Sequence, residues 1–387
     1  MMTRKLLHEV APREQSGRDA VARFKAQYRA AAFKCLSLLK DEDVVAIYCD
    51  LHDDYVIKRK INDEEYYDFF QVKTNNKKGF QWRVPDIFGY KTRKKQQELK
   101  DIKDSFFGKL IIHTIEFGDA CNSINIQSNK DFCEEIYEIE EGFKSLSAKN
   151  KIHIFLKQEF KNIFSTATNL DTQAIEKNLA KFNLDGASEV ADLEGSNYLP
   201  LARQEICEIS EVDLSIEEVI EVALGILELV QKKSTGVINI WSKTEIDKLS
   251  SICLDDLLKI MTISPASYQY LKNGGDKKAL KHTSIIQRFF QETGASSELI
   301  DYLCMCKSQY DHWNLSNKHF LSELDFNIFK SDVREMVEVW IKNERSYKAF
   351  LKMASEYKRN TEKYFISQMD DNIVVGALLS EIVRQRI

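Results

Sequence analysis

Apolar and polar positions in the first 130 residues switch between two periods. In residues 20–39 the apolar positions Phe24, Tyr28, Ala31, Ala32 and Cys35 recur at helical spacing, which predicts an amphipathic helix. Val44-Val45-Ala46-Ile47-Tyr48 is an unbroken apolar run and reads as a buried strand. A second strand is expected over residues 54–58, a loop over 61–65 and a third strand over 66–74. Residues 82–87 read as a loop into a basic helix over 91–106. The β-branched runs at 109–115 and 123–127 predict two more strands. A helix followed by three strands suits a small mixed α/β sheet with its site at a sheet edge.

Residues 151–210 read as less regular. Helices are expected near Lys157 and over 172–182. Ser215-Ile216-Glu217-Glu218 is a capping box, with serine at the N-cap and glutamate three residues on. It opens a helix whose positions Ile216, Val219, Ile220, Ala223, Leu224 and Leu227 share one face. Gly236 is the expected boundary between domains at 1–236 and 237–387. The second of these reads as nearly all helix, broken at Pro265, Gly274-Gly275 and Gly294. One long amphipathic helix is expected over 333–353 and a last one over 373–387. The apolar positions Trp340, Phe350, Leu378 and Ile382 look more than one tail needs to bury, so self-association or a docked partner is expected there.

Composition changes this picture little. Of 387 residues, 30% are charged and 43% hydrophobic, as in ordinary globular chains. The net charge of −5 gives no general attraction to nucleic acid. Its distribution does: residues 73–103 hold ten Lys or Arg against three acids, a footprint suited to phosphates or to a solvated helix face. Within it Lys77, Lys78, Arg93, Lys94 and Lys95 are the candidate DNA contacts. The eight cysteines show no Cys-x-x-Cys pair, which fits reduced thiols and a cytoplasmic protein. Cys304, Cys306 and His312 lack a fourth ligand for zinc. No signal-peptide core and no membrane-length apolar run is present. No P-loop, G-x-G-x-x-G, G-x-S-x-G or H-E-x-x-H motif occurs.

The chemistry concentrates in Phe69-Phe70-Gln71-Val72-Lys73-Thr74. Side chains alternate along a strand, so Gln71 and Lys73 share a face roughly 7 Å apart. Upstream, Cys49-Asp50-Leu51-His52-Asp53-Asp54 is an acidic cluster running into a strand. An acid on one strand and Gln-x-Lys on the next can place an oxygen-ligated Mg²⁺ beside a lysine, the parts of a metal-dependent nuclease. A half-exposed hairpin with ordinary surface charges has the same spacing. His52 reads as an exposed loop residue, and Trp82 as a core or edge residue more than a base-stacking one.

A succession of short motifs resembles a known family. Arg13-Glu14-Gln15-Ser16-Gly17, Gln27-Tyr28, Asp53-Asp54, Phe70-Gln71-Val72-Lys73-Thr74, Trp82, Gly108-Lys109-Leu110 and Ser128-Asn129 occur in that order. Together they resemble the double-stranded DNA endonuclease domain of bacterial anti-phage effectors, within the restriction-endonuclease-like PD-(D/E)xK superfamily. The resemblance covers about residues 1–230. It implies Asp54 or Asp53 as the strand acid, Gln71 at the (D/E) place, Lys73 as the lysine and Glu14 as an acid from the first helical region. Asp50 is an alternate metal ligand. Gln71 departs from the usual carboxylate and lowers the ligand charge. The resemblance implies Mg²⁺, with Mn²⁺ as a substitute, and double-stranded DNA as substrate.

Such domains occur in cyclic-nucleotide-signalling (CBASS) effectors and in the nuclease subunit of Lamassu-type systems. A cyclic-oligonucleotide sensor would be a sizeable α/β domain, whereas residues 237–387 read as helical. That favours the Lamassu-type subunit, whose partners are an SMC-like ATPase and a small accessory subunit, with a homo-oligomer as the active form. The competing reading is a catalytically inactive nuclease fold serving as a DNA-binding or scaffold subunit.

Overall fold

A computed structural model describes residue 10 and residues 16–145, 150–209, 215–317, 322–343, 345–360 and 369–386. The chain divides into two compact units, residues 1–202 with 223–253, and residues 203–222 with 254–387. Gly236 falls inside the first unit. No helix of the described residues is long and apolar enough to cross a membrane.

The first unit is built on a six-stranded mixed sheet in the order β5-β4-β3-β2-β1-β6. β1 (Val44–Leu51), β2 (Asp53–Ile61) and β3 (Glu64–Lys73) form an antiparallel meander. β4 (Cys121–Ser128) and β5 (Phe182–Asp185) add in parallel beyond β3, and β6 (Ser251–Ile252) pairs with β1. The loop expected over 61–65 is a tight hairpin. Asn62 and Asp63 both take positive φ, the conformation a two-residue turn requires and these side chains tolerate.

Helices cover both faces. α1 (Ser16–Cys35) buries Ala26, Ala30, Ala31 and Ala32, small side chains that let it lie close. Phe24, expected on its apolar face, is instead exposed. α2 (Ser37–Lys40) leads into β1. On this side Tyr55 stacks on Phe70 with centroids 4.6 Å apart, and the Lys34 Nζ lies 5.6 Å from the Phe70 centroid.

Three expectations fail between β3 and β4. The loop at 82–87 contains α3 (Val84–Phe88), opened by Pro85 and by Asp86, which accepts from the Arg83 amide. Gly89 ends it at φ 66, where a Cβ would stand 2.2 Å from the Asp101 carbonyl oxygen, so only glycine fits. The basic helix shrinks to α4 (Leu99–Lys103). Before it, the Gln97 side chain accepts from the Lys91 amide and donates to the Lys91 and Lys94 carbonyls, satisfying backbone groups that a helix would otherwise pair.

The strand expected at 109–115 is α5 (Phe106–Glu116). Ser105 caps it by accepting from the Gly108 amide at 3.0 Å. Phe107, Leu110, Ile111 and Thr114 are buried at helical spacing, so packing on both sides of the helix overrides the β preference of its isoleucines. α6 (Glu134–Ser145), α7 (Lys151–Ile163) and α8 (Thr172–Leu179) complete the apolar core around Phe107, Phe143, Phe160 and Phe182.

The second unit is largely helical. Its capping box forms as expected, Ser215 accepting from the Glu218 amide and Glu218 from the Ser215 amide. The long helix expected over 333–353 is two helices, Glu323–Lys342 and Tyr347–Asn360. Ser346 makes the break: its carbonyl accepts from Trp340 Nε1 at 3.1 Å and its hydroxyl from the Ala349 amide at 3.2 Å. Trp340, Phe350, Leu378 and Ile382 are not a spare face. They are 4%, 0%, 0% and 0% exposed, within one core cluster. Cys304 and Cys306 lie in that cluster, where burial pushes their thiols up to about 12 and about 11, while His312 is exposed. The three do not converge.

Trp340→Ala should therefore lower stability by about 3–5 kcal/mol, the cost of truncating a buried aromatic. Urea denaturation followed by circular dichroism measures it. A loss below about 1 kcal/mol would remove Trp340 from the core.

Candidate active site

The site lies where β2 and β3 part. Tyr55 opposite Phe70 is the last pair of that ladder, so Asp54 and Gln71 follow as neighbours beyond it. On the other side, Cys49 opposite Tyr55 and Leu51 opposite Asp53 bracket Asp50 across from Asp54. Register thus sets Asp50, Asp54 and Gln71 side by side on three adjacent strands. Asp50 and His52 take positive φ, which lets the chain reverse within a very short turn.

Asp54 is held from two directions. One carboxylate oxygen accepts from the Val72 amide at 2.6 Å, in place of the next ladder bond. The other accepts from Gln27 Nε2 of α1 at 2.9 Å. Burial pushes this carboxyl up to about 6, and the charges of Asp53 and Asp50 push the same way. Lys73 and the Val72 amide pull against them.

Lys73 ends β3. Burial lowers its pKa, the carboxylates of Asp54 and Asp53 hold it up, and the charges of Lys109 and Arg23 push it further down. Its Nζ sits 4.6 Å from the Phe106 ring centroid, on the first turn of α5.

Gln71 supplies the most informative atom. Its Oε1 is buried and has no hydrogen-bond partner. An unpartnered buried amide oxygen costs about 1–3 kcal/mol. Hard divalent cations take oxygen ligands, so this atom beside the Asp54 carboxylate fits Mg²⁺. Among the described residues no three His, Cys, Asp or Glu side chains form a metal cage. Asp54 and Gln71 would hold the ion with only one formal charge between them. Glu14 lies outside the described residues.

Asp53 has a different partner. Its carboxylate meets His113 Nε2 at 3.0 Å, with both side chains about nine-tenths buried. His113 stacks flat on Phe69, centroids 4.3 Å apart. His52 is exposed, its ring 5.2 Å from that of Phe117. Trp82 is buried and donates to Ser128 Oγ at 2.7 Å.

The basic residues form two loops. Lys77 and Lys78 are exposed on a turn pinned by Asn129, which accepts from the Asn75 amide at 2.9 Å and donates to its carbonyl at 3.0 Å. Arg93, Lys94 and Lys95 are exposed on the loop shaped by Gln97. Lys94 pairs with Glu98 and Lys91 with Asp101, so part of that charge is already neutralised. The sequence marks Gln27 only as part of the Gln27-Tyr28 motif, and its contact with Asp54, like that of His113 with Asp53, emerges only in three dimensions. The period of α1 points Gln27 at the sheet, and the helical form of α5 brings His113 beneath Asp53.

An acid, an amide oxygen and a lysine gathered at the ends of neighbouring strands are parts that metal-dependent phosphodiester cleavage can use. The chain belongs to the family described as Cap4, dsDNA endonuclease domain, whose profile matches residues 15–234, more than half its length. The matched span takes in most of the first unit, together with residues 203–222 of the second. No curated protein matches the sequence. Solved structures similar to it include the Acinetobacter baumannii Cap4 SAVED/CARF-domain containing receptor. With the cyclic trinucleotide 2'3'3'-cAAA, that receptor is 9% identical at a TM-score of 0.36, over 75% of this chain and 58% of the receptor. With 3'3'3'-cAAA the values are 10%, 0.35, 75% and 58%. A third structure of the receptor gives 10%, 0.35, 76% and 60%. The chain thus spans less than two thirds of the receptors it matches.

The Asp54 shift has a testable sign. A carboxyl raised in the folded state destabilises the metal-free fold as pH climbs through its unfolded and then its folded value, here from about 4 to about 6. The stability of wild type relative to Asp54→Asn should fall by roughly 2 kcal/mol between pH 4 and pH 7. Denaturation in EDTA at both pH values reads it. A flat or rising difference would contradict the buried, repelled carboxylate.

Proposed function

We propose that this protein is a Mg²⁺-dependent double-stranded DNA endonuclease of the restriction-endonuclease-like, PD-(D/E)xK type, acting as an effector in anti-phage defence. The unpartnered Gln71 oxygen beside Asp54 and Lys73 carries the reading. The order of the meander, with the site on two neighbouring strands and a helix on each face, supports the superfamily assignment.

Asp54 and Gln71 would hold the cation. Bound there, Mg²⁺ or Mn²⁺ lowers the pKa of water and neutralises charge on the phosphate. Gln27 and the Val72 amide fix the Asp54 carboxylate, so its remaining lone pairs keep one direction. Lys73 has a depressed pKa and limited exposure, suited to orienting the attacking water and to stabilising charge on the phosphate oxygens. Glu14 would complete the acid set.

The helical second unit supports a finer assignment, to a Lamassu-type nuclease subunit working with an SMC-like ATPase and a small accessory subunit. Cutting both strands takes two such sites, so the active form is a homo-oligomer.

Plasmid DNA should be linearised by wild type with Mg²⁺ and left intact with EDTA. Lys73→Ala and Asp54→Ala should each lose at least about 100-fold of the rate. Full cutting by folded Lys73→Ala would overturn the site. Wild type that binds duplex DNA but fails to cut it with either Mg²⁺ or Mn²⁺ would establish the scaffold reading instead.

Restoring the missing charge gives a separate check. Gln71→Glu should lower the Mg²⁺ concentration for half-maximal cleavage, because a second carboxylate strengthens cation binding. A titration in which the variant needs as much Mg²⁺ as wild type would place position 71 outside the metal's reach.

A further inference from the structure

Two exposed cations flank the site from opposite faces of the sheet. Arg23 lies four residues before Gln27 on α1, so the two share a stripe of that helix, about 5–6 Å apart at Cβ. Gln27 donates to Asp54, which fixes this stripe against the site. On the other face, Lys109 lies three residues after Phe106, whose ring carries the Lys73 ammonium. Gly108 anchors this turn: a Cβ there would stand 2.0 Å from the Ile102 carbonyl oxygen, so α5 is seated directly on α4. Both cations are exposed, and neither has an ion-pair partner among the described residues. Each is near enough for its charge to act on Lys73.

An exposed arginine and an exposed lysine with no carboxylate partner among the described residues keep their charge free for an anion that reaches the site. In the basic loop at 91–95, Lys91 and Lys94 are already paired with Asp101 and Glu98, and Arg93 and Lys95 are exposed. The substrate class is a polyanion with regularly spaced phosphates. Two cations on either side of the sheet end suit one strand of it, with the scissile phosphate at Lys73 and its neighbours at the flanks.

We propose that Arg23 and Lys109 form a two-sided clamp for the backbone phosphates next to the scissile one. They position the duplex without reading bases, because phosphates carry no sequence. This rests on the nuclease reading above, and the test separates the two.

The full-length protein is used throughout. Binding of a fluorescent duplex in EDTA is measured against salt for wild type, Arg23→Gln, Lys109→Gln and the double variant. Each single change should weaken binding about tenfold, the loss of one charge-assisted contact. Each should also reduce the slope of log K against log salt by about one, and the double variant by about two. Arg23→Lys and Lys109→Arg should restore the slope, since they restore the charge. Lys25→Gln, exposed on another stripe of α1, should leave it unchanged. Where the wild type cuts with Mg²⁺, the clamp losses should fall on KM more than on kcat. Wild-type slopes in both single variants, or an equal loss in Lys25→Gln, would overturn the clamp even if the protein cuts DNA. Absence of cutting by a wild type whose binding shows these slope losses would overturn the nuclease reading and leave the clamp standing. No duplex binding by wild type would overturn both.

Discussion

A carboxylate placed where the sheet opens governs this structure. Asp54 sits partly out of water, with two other acids close by, yet the fold needs it there. The ladder between β2 and β3 ends at Tyr55 and Phe70, and the next amide of β3, that of Val72, has the carboxylate instead of a strand partner. Removing the acid would leave that amide unpaired, and leaving it charged costs desolvation and repulsion. Gln27 and Lys73 offset part of this cost from either side. The local energetics favour anything positive that can enter.

That demand explains how the neighbouring side chains are arranged. Asp53 is one residue away but is drawn to His113, so the adjacent acids answer to different elements. Lys73 lies along Phe106 on α5, and Gln27 reaches in from α1. These two helices pack on the sheet and also set the site, so a shift in either would be felt at the acid. Small residues on α1 and Gly108 on α5 keep both close to their neighbours.

The strands that carry the chemistry were legible in the sequence because their residues are β-branched or aromatic and bounded by polar turns. So was the pairing of an acid on one strand with Gln-x-Lys on the next. α5 was not, because Ile111, Ile112 and Ile115 favour strands by local preference and only packing on several sides makes them helical. The contact between Gln27 and Asp54 spans 27 residues, and no local pattern encodes it. The break between the helices ending at Lys342 and starting at Tyr347 depends on Ser346 meeting Trp340, which again is tertiary. The faces late in the chain are legible as apolar, but hydropathy says nothing about which helix covers which, and Trp340, Phe350, Leu378 and Ile382 are buried against one another's helices.

The sheet ends in two very short strands, β5 of four residues and β6 of two. Such borders offer few open amides and carbonyls to another chain. Growth of the sheet from molecule to molecule is therefore disfavoured. Any assembly has to be made through side chains on helices and loops, where charge and shape select the partner, so that association can be reversible and specific.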